Sequence, residues 1–354
     1  MPTLETAKAS NAKFTPSYVP VALFVGGTSG IGQAMAEAFA RYVGGRAHII
    51  IVGRSEIAAQ ETIARFPTPP MDSNATHEFI PCDLRLMANV RAVCADIKTK
   101  IDRVNFLVLT AGYTSLTNVA LTEEGLDLNL AMRYYQRYVF ISELLPLLRN
   151  AKSLGQDAHV MSVLGAGKGT PSRPLDLKNL GNIVLPRTGS SMSVAMRGLT
   201  MSSGYTDAMM AHFASQNPTI AFTHTFPGVV NTPGLGEAVE LGWFLRPLSW
   251  ILGAVLPWIA VSPSVSAEHM LFALLPSNEE VSPGGFFLRG ATGDIVSSHR
   301  FETAAQLGDS EETSVLHGTL MPGYGASDRA TKIVVEHSEV ITRSRSGMET
   351  PGAA

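Results

Sequence analysis

The stretch Val21–Phe39, VALFVGGTSGIGQAMAEAF, runs from five apolar residues through Gly26, Gly30 and Gly32 into an alanine-rich helical pattern. A continuous apolar run of this length is what a parallel strand buried on both faces requires. Glycines placed directly after such a strand, at the opening of a helix, let the backbone turn tightly and approach a pyrophosphate. The charge of that group meets free N–H groups and the positive end of the helix. The spacing is GxxxGxG, which differs from the GxGxxG dinucleotide fingerprint. Taken alone, the same glycines would also suit a plain strand-to-helix turn.

The rhythm continues along the chain. Helices are predicted over Ile31–Tyr42, Ala58–Phe66, Met87–Lys100, Asp127–Arg149 and within Ser190–Ser215, alternating with AHIIIVG, HEFIPC, NFLVLTAG, AHVMSVL and IAFTHTFPG. Short apolar strands separated by helices need crossover connections, so the predicted fold class is α/β: a doubly wound parallel sheet (Rossmann fold) in a single domain. After Gly228 comes a Pro/Gly-rich apolar insert, then a helix at Ser264–Leu275, then GGFFLRG as the last edge strand. The expected organisation is a ragged lead-in over 1–18, a sheet domain over 19–300 with the insert at 232–265, and an extension over 301–354. That extension carries one helix, Asp328–Thr342, whose Ile333, Val334, Val335 and Ile341 are expected to pack on the sheet, with disorder after Arg343.

With 45% hydrophobic and 16% charged residues in 354, the chain is globular, and a net charge of −3 without a basic run argues against nucleic acid. Two cysteines, Cys82 and Cys94, lack CxxC spacing and suit a reducing compartment; with no signal-peptide pattern at the start, the expected location is cytoplasmic. The stretch 241–261, LGWFLRPLSWILGAVLPWIAV, holds all three tryptophans and is interrupted by Arg246, Pro247, Gly253 and Pro257, which disfavours a membrane span. Three uses suit it: a lid over a small hydrophobic substrate, a subunit interface, or a peripheral membrane contact.

GGTSGIG resembles the glycine motif of the short-chain dehydrogenase/reductase family, with Val25 where that family commonly has Thr. Further matches follow in order, from about Val21 to Thr232. The resemblance implies a dinucleotide held by Gly26, Thr28, Ser29, Gly30, Ile31 and Gly32; by Arg54 and Ser55 after the second strand; and by Asp83 and Leu84 after the third. It adds Ala111 and Gly112 of LTAG, whose Leu109 and Thr110 replace two Asn, and Pro227, Gly228, Val230 and Thr232 of PGVVNT. Arg54 stands where an acidic residue would bind a ribose hydroxyl; a guanidinium there pairs with a 2′-phosphate, so the expected cofactor is NADP. Related folds often form homodimers through two long helices, and the same is expected here by analogy.

The family's Asn-Ser-Tyr-Lys tetrad does not carry over. Its registers fall on Arg133, on Gly165, and on Arg197 and Met201, or with a gap on Ala195 and Leu199; no tyrosine is followed by a lysine four residues on. Asn129 is one helical turn from the Asn register, and Ser162 occupies a strand position. Candidate replacements are Tyr113, at a position where an aromatic more often forms a pocket wall, and Arg133 and Arg197, each of which equally suits a structural salt bridge. A guanidinium can polarise a carbonyl but cannot act as a general acid at neutral pH. His159 and His224 read as sheet residues. No HExxH or His/Cys cluster suggests a metal, and no GxSxG suggests a serine hydrolase.

The expected function is that of an NADP(H)-dependent oxidoreductase acting on a hydrophobic carbonyl or alcohol, as in fungal secondary metabolism, with a non-standard catalytic site. Two alternatives stand beside it: a non-redox isomerase or cyclase that keeps NADP as a structural group, and a non-catalytic NADP-binding protein.

Overall fold

The computed structural model describes residues 1–112, 120–168, 180–181, 191–233, 260–278, 284–299 and 328–344; for 191–199, 297–299, 328–330 and 344 it describes the backbone alone. Eight strands form one sheet in the order β3-β2-β1-β4-β5-β6-β7-β8. They are β1 (Val21–Val25), β2 (His48–Gly53), β3 (His77–Pro81), β4 (Phe106–Leu109), β5 (His159–Val163), β6 (Ala221–Thr225), β7 (Gly285–Arg289) and β8 (Ile295–His299). All pairings are parallel except that of β7 with β8. The chain order reverses between β1 and β4, the place where open α/β sheets hold their ligands.

Every residue of β1, β4, β5, β6 and β7 is buried, as expected of strands covered on both faces. One face carries α1 (Leu4–Asn11), α2 (Gly30–Tyr42), α3 (Glu56–Ile63) and α8 (Pro263–Leu274). The other carries α4 (Met87–Lys100), the helical run α5 (Leu128–Leu130), a π-helical turn (Ala131–Tyr135) and α6 (Gln136–Ser153), then α7 (Ser191–Gln216), with α9 (Asp328–Ser344) on the outer side of α7.

Three expectations meet a different structure. GGFFLRG is not the edge: the turn at Gly290–Asp294 sends the chain back as β8, which pairs antiparallel outside β7. The run IVSSH is short and half polar, so it carries little strand signal of its own. The lead-in is ordered as α1, capped by Thr3 and docked through Ala7, Asn11 and Phe14, all buried.

The third concerns α9, which packs on the helix layer rather than the sheet. Its buried stripe is Thr331, Val334, Ser338 and Thr342, short side chains that let it lie close to α7. Ser338 Oγ donates to its own helix at Val334 O and takes the Tyr134 hydroxyl at 2.7 Å, while Thr342 receives Arg91 at 2.9 Å. The helix α9 therefore covers part of α7, one of the two long helices expected by analogy to pair subunits.

Glu268 on α8 gathers the N-terminal elements. Its carboxylate accepts from Asn11 Nδ2 at 3.0 Å, Arg41 Nη2 at 2.6 Å and Tyr42 Oη at 2.6 Å, and its backbone oxygen takes Asn11 again at 2.9 Å. Burial, with Glu268 alongside, pushes the Tyr42 hydroxyl pKa up. Glu268→Ala removes a buried acceptor of three donors and is expected to cost about 1.5–3 kcal/mol. Urea denaturation should show a lower midpoint with an unchanged slope.

Candidate cofactor and active site

A cleft of about 660 Å³ opens where β1 and β4 part. Its floor is the glycine turn, and two close approaches show why glycine is needed. A Cβ on Gly26, whose φ is +88°, would lie 2.5 Å from Ala111 N; one on Gly32 would lie 2.2 Å from Thr110 Oγ1 and 2.4 Å from Gly26 O. Thr110 Oγ1 donates to Val25 O at 3.1 Å, and the N–H groups of Thr110 and Ala111 reach the same carbonyl. Thr110 thus ties the β4 exit to the glycine turn. Sequence reading set it aside as a departure from the family's Asn, although a polar side chain at that register was the signal.

The first turn of α2 holds no acidic residue, and Ser29 at its cap makes no side-chain capping bond. Its positive end is therefore available to an anion. This open helix end, above a floor that any Cβ would fill, fits a dinucleotide pyrophosphate.

Of the residues singled out for the cofactor, Gly26, Thr28, Ser29, Gly30, Ile31, Gly32, Arg54, Leu84, Ala111, Gly112 and Thr232 line this cleft. Arg54 is exposed at its rim. Ser55 caps α3, accepting from Ala58 N at 3.2 Å. Asp83 lines an adjoining hollow of about 490 Å³ with Arg54. Its carboxylate is gripped by Arg85, whose Nε lies 3.0 Å from both oxygens and whose Nη2 lies 2.5 Å from Oδ2. These bonds from Arg85, with Arg54 adding its field, hold the Asp83 pKa below the usual carboxylate range.

Pro227, Gly228 and Val230 follow β6 without lining the cleft. Val230 bridges to Val261, with Asn231 N on Val261 O and Val261 N on Val229 O, both at 2.9 Å. The two ends of the apolar insert are thus pinned together at the mouth of the cleft, where Thr232 and Pro233 line it. Residues 234–259, which include all three tryptophans and most of the 241–261 stretch, lie outside the described residues.

Lining at the far end comes from Gly112, Leu128, Met132, Thr232 and Pro233. Met132 sits in the π-helical turn, a wide turn whose carbonyl groups are open to side-chain donors. Arg137, fully buried, donates through Nη1 to Met132 O at 3.1 Å and Arg133 O at 2.9 Å, and through Nε to Ser162 Oγ at 3.0 Å. Arg133 donates from Nε to Ser202 Oγ at 3.0 Å. Burial lowers the Arg133 pKa to about 10; burial and the Arg133 charge lower that of Arg137 to about 9, so both stay cationic at neutral pH. Arg137 escaped the sequence reading, although two arginines four residues apart in AMRYYQRYVF were a visible sign of a polar contact inside an apolar helix.

Tyr113 lies outside the described residues, and Arg197 falls on α7 where the backbone alone is described. At Gly165 the space for a side chain is taken: a Cβ would sit 2.3 Å from Ser203 Oγ. Beneath it His224 Nε2 accepts from Gly165 N at 3.3 Å, while Nδ1 donates to Asp207 at 2.5 Å, both side chains fully buried. Burial raises the Asp207 pKa. His159 is spent on Leu274 O at 2.6 Å. Among the described residues no cluster of His, Cys, Asp or Glu could hold a metal ion, and no helix is long and apolar enough to cross a membrane.

The family model for short chain dehydrogenase matches residues 20–165. The oxidoreductase andH of Emericella variicolor is 31% identical over 310 residues, spanning 83% of this chain and 85% of that protein. The chain belongs to the short-chain dehydrogenase/reductase family. A second oxidoreductase, AN1596 of Emericella nidulans, is 32% identical over 83% of this chain and 86% of its own length. In fold the chain is similar to a 3-ketoacyl-(acyl-carrier-protein) reductase from Brucella melitensis solved with NADH, with a TM-score of 0.54 at 19% identity, covering 77% of this chain and 97% of that one.

Gly32→Ala is expected to abolish dinucleotide binding, since its Cβ meets backbone at 2.4 Å that cannot withdraw without opening the turn. Fluorescence titration with NADPH should show no saturable binding.

Proposed function

We propose that this short-chain dehydrogenase/reductase is an NADP(H)-dependent oxidoreductase of a hydrophobic carbonyl or alcohol. The observation that carries the cofactor choice is Arg54, exposed at the rim of the cleft directly after β2. A guanidinium at that rim offers a planar fork to a 2′-phosphate and nothing to a free ribose diol that an acidic residue would serve. Gly26, Gly30, Gly32 and the α2 end would hold the pyrophosphate; bound NADP(H) supplies or accepts the hydride. Leu128, Met132 and Pro233 give the far end an apolar wall, in keeping with a lipophilic substrate. The cytoplasm suits free thiols at Cys82 and Cys94. The Emericella sources of the two oxidoreductases named above, with the apolar insert, support a role in secondary-metabolite biosynthesis.

NADPH should bind more tightly than NADH, and Arg54→Ala should erase most of that difference, a loss of about tenfold or more for one charge-assisted contact. Equal affinities in a fluorescence titration would remove the assignment.

A second reading is favoured by one feature. Among the described residues lining the far end, none carries a phenol, imidazole, carboxyl or ammonium group to deliver a proton. On that reading the cofactor is structural and the apolar cleft guides an isomerisation or cyclisation by orientation. Single turnover with NADPH deuterated at C4 and a panel of long-chain and aromatic ketones separates the two. Deuterium in the product is the expected result; an altered product with neither label nor cofactor oxidation establishes the second reading.

A further inference from the structure

Strands β2 and β3 end side by side, Gly53 opposite Pro81, with Cys82 N bonded to Gly53 O at 2.8 Å. This register brings Arg54 and the segment Asp83–Arg85 out of the sheet next to each other. Arg54 and Arg85 both line the cleft, and Arg54 and Asp83 both line the adjoining hollow, so Arg54 borders both spaces beside the Asp83–Arg85 pair.

From this arrangement, and resting on the NADP(H) reading, we propose that Arg85, oriented by Asp83, is a second specificity-determining residue that grips the 2′-phosphate together with Arg54. Asp83 fixes its neighbour at several points: the Arg85 backbone N–H donates to Oδ1 at 3.0 Å, Nε to both oxygens and Nη2 to Oδ2. The ion pair is 49% exposed on the arginine side and 25% on the carboxylate side, so the guanidinium is held in place while remaining open to a ligand. Its Nη1 takes no part in these bonds to Asp83. An arginine already oriented loses little side-chain freedom when it binds an anion, unlike a solvated one.

The pairing also settles the sign of the field. An uncompensated Asp83 carboxylate beside Arg54 would repel a phosphate carrying nearly two negative charges and compete for Arg54. With Arg85 bound, the trio Arg54, Asp83 and Arg85 has a net charge of one positive unit facing the phosphate. Asp83 then acts as the positioning residue and Arg85 as the contact.

The test is calorimetric titration of the full chain with two probes that differ by one group, adenosine 2′,5′-diphosphate and adenosine 5′-monophosphate. Wild type should favour the first. Arg85→Ala should weaken the first by about tenfold, the scale of one charge-assisted contact, and the second by less than about twofold. Arg85→Lys, which keeps the charge and loses the fork, should recover part of that loss. Thermal unfolding of each variant without ligand should match wild type, since the side chain is half exposed. An equal loss for both probes, or no loss for either, overturns the role of Arg85. Wild type binding both probes equally, with Arg54→Ala unchanged, overturns the NADP(H) reading itself.

Discussion

The backbone contact between the glycine turn and the end of β4 is the constraint on which the site depends. Gly26 and Gly32 stand where a single added carbon would fall within 2.5 Å of Ala111 N and 2.2 Å of Thr110 Oγ1. That proximity lets Thr110 bond back to Val25, closes the floor of the cleft and aims the N-terminus of α2 across it. Since β1 and β4 are neighbours only because the chain order reverses between them, the same contact marks the ligand crevice of the sheet.

Behind the far end of the cleft lies a buried polar network. Arg137 closes the π-helical turn, Arg133 reaches Ser202, and His224 with Asp207 supports Gly165 from below. Burying a guanidinium against neutral acceptors is costly unless each donor is met, and the carbonyl and hydroxyl partners of Arg137 meet that need. The network fixes the shape of the wall that Met132 presents to the cleft.

Legibility in the sequence followed the range of the interaction. Strand and helix positions around VALFVGGTSGIG were plain because continuous apolar runs and helical periodicity are local patterns. Met87–Lys100 was predicted with the bounds it has. The edge strand β8 was missed because its pairing with β7, and not its composition, makes it a strand. Likewise α1 looked ragged, since its stability comes from Glu268, more than 250 residues away. The roles of Thr110 and Arg137 depend on the carbonyl groups they satisfy, which only the packed fold brings within reach.

By itself the sequence determined the α/β class, the place of the glycine cradle and the positive residue after β2, for each is written in consecutive residues. Tertiary structure alone decided that Asp83 is engaged by Arg85 beside Arg54, that Ser203 fills the space at Gly165, and that α9 lies on α7 rather than on the sheet. The physical reason is common to all three. Each depends on which groups end up within a few ångströms of one another once strands and helices are stacked, and that distance is set by the register and crossover of elements far apart in the chain.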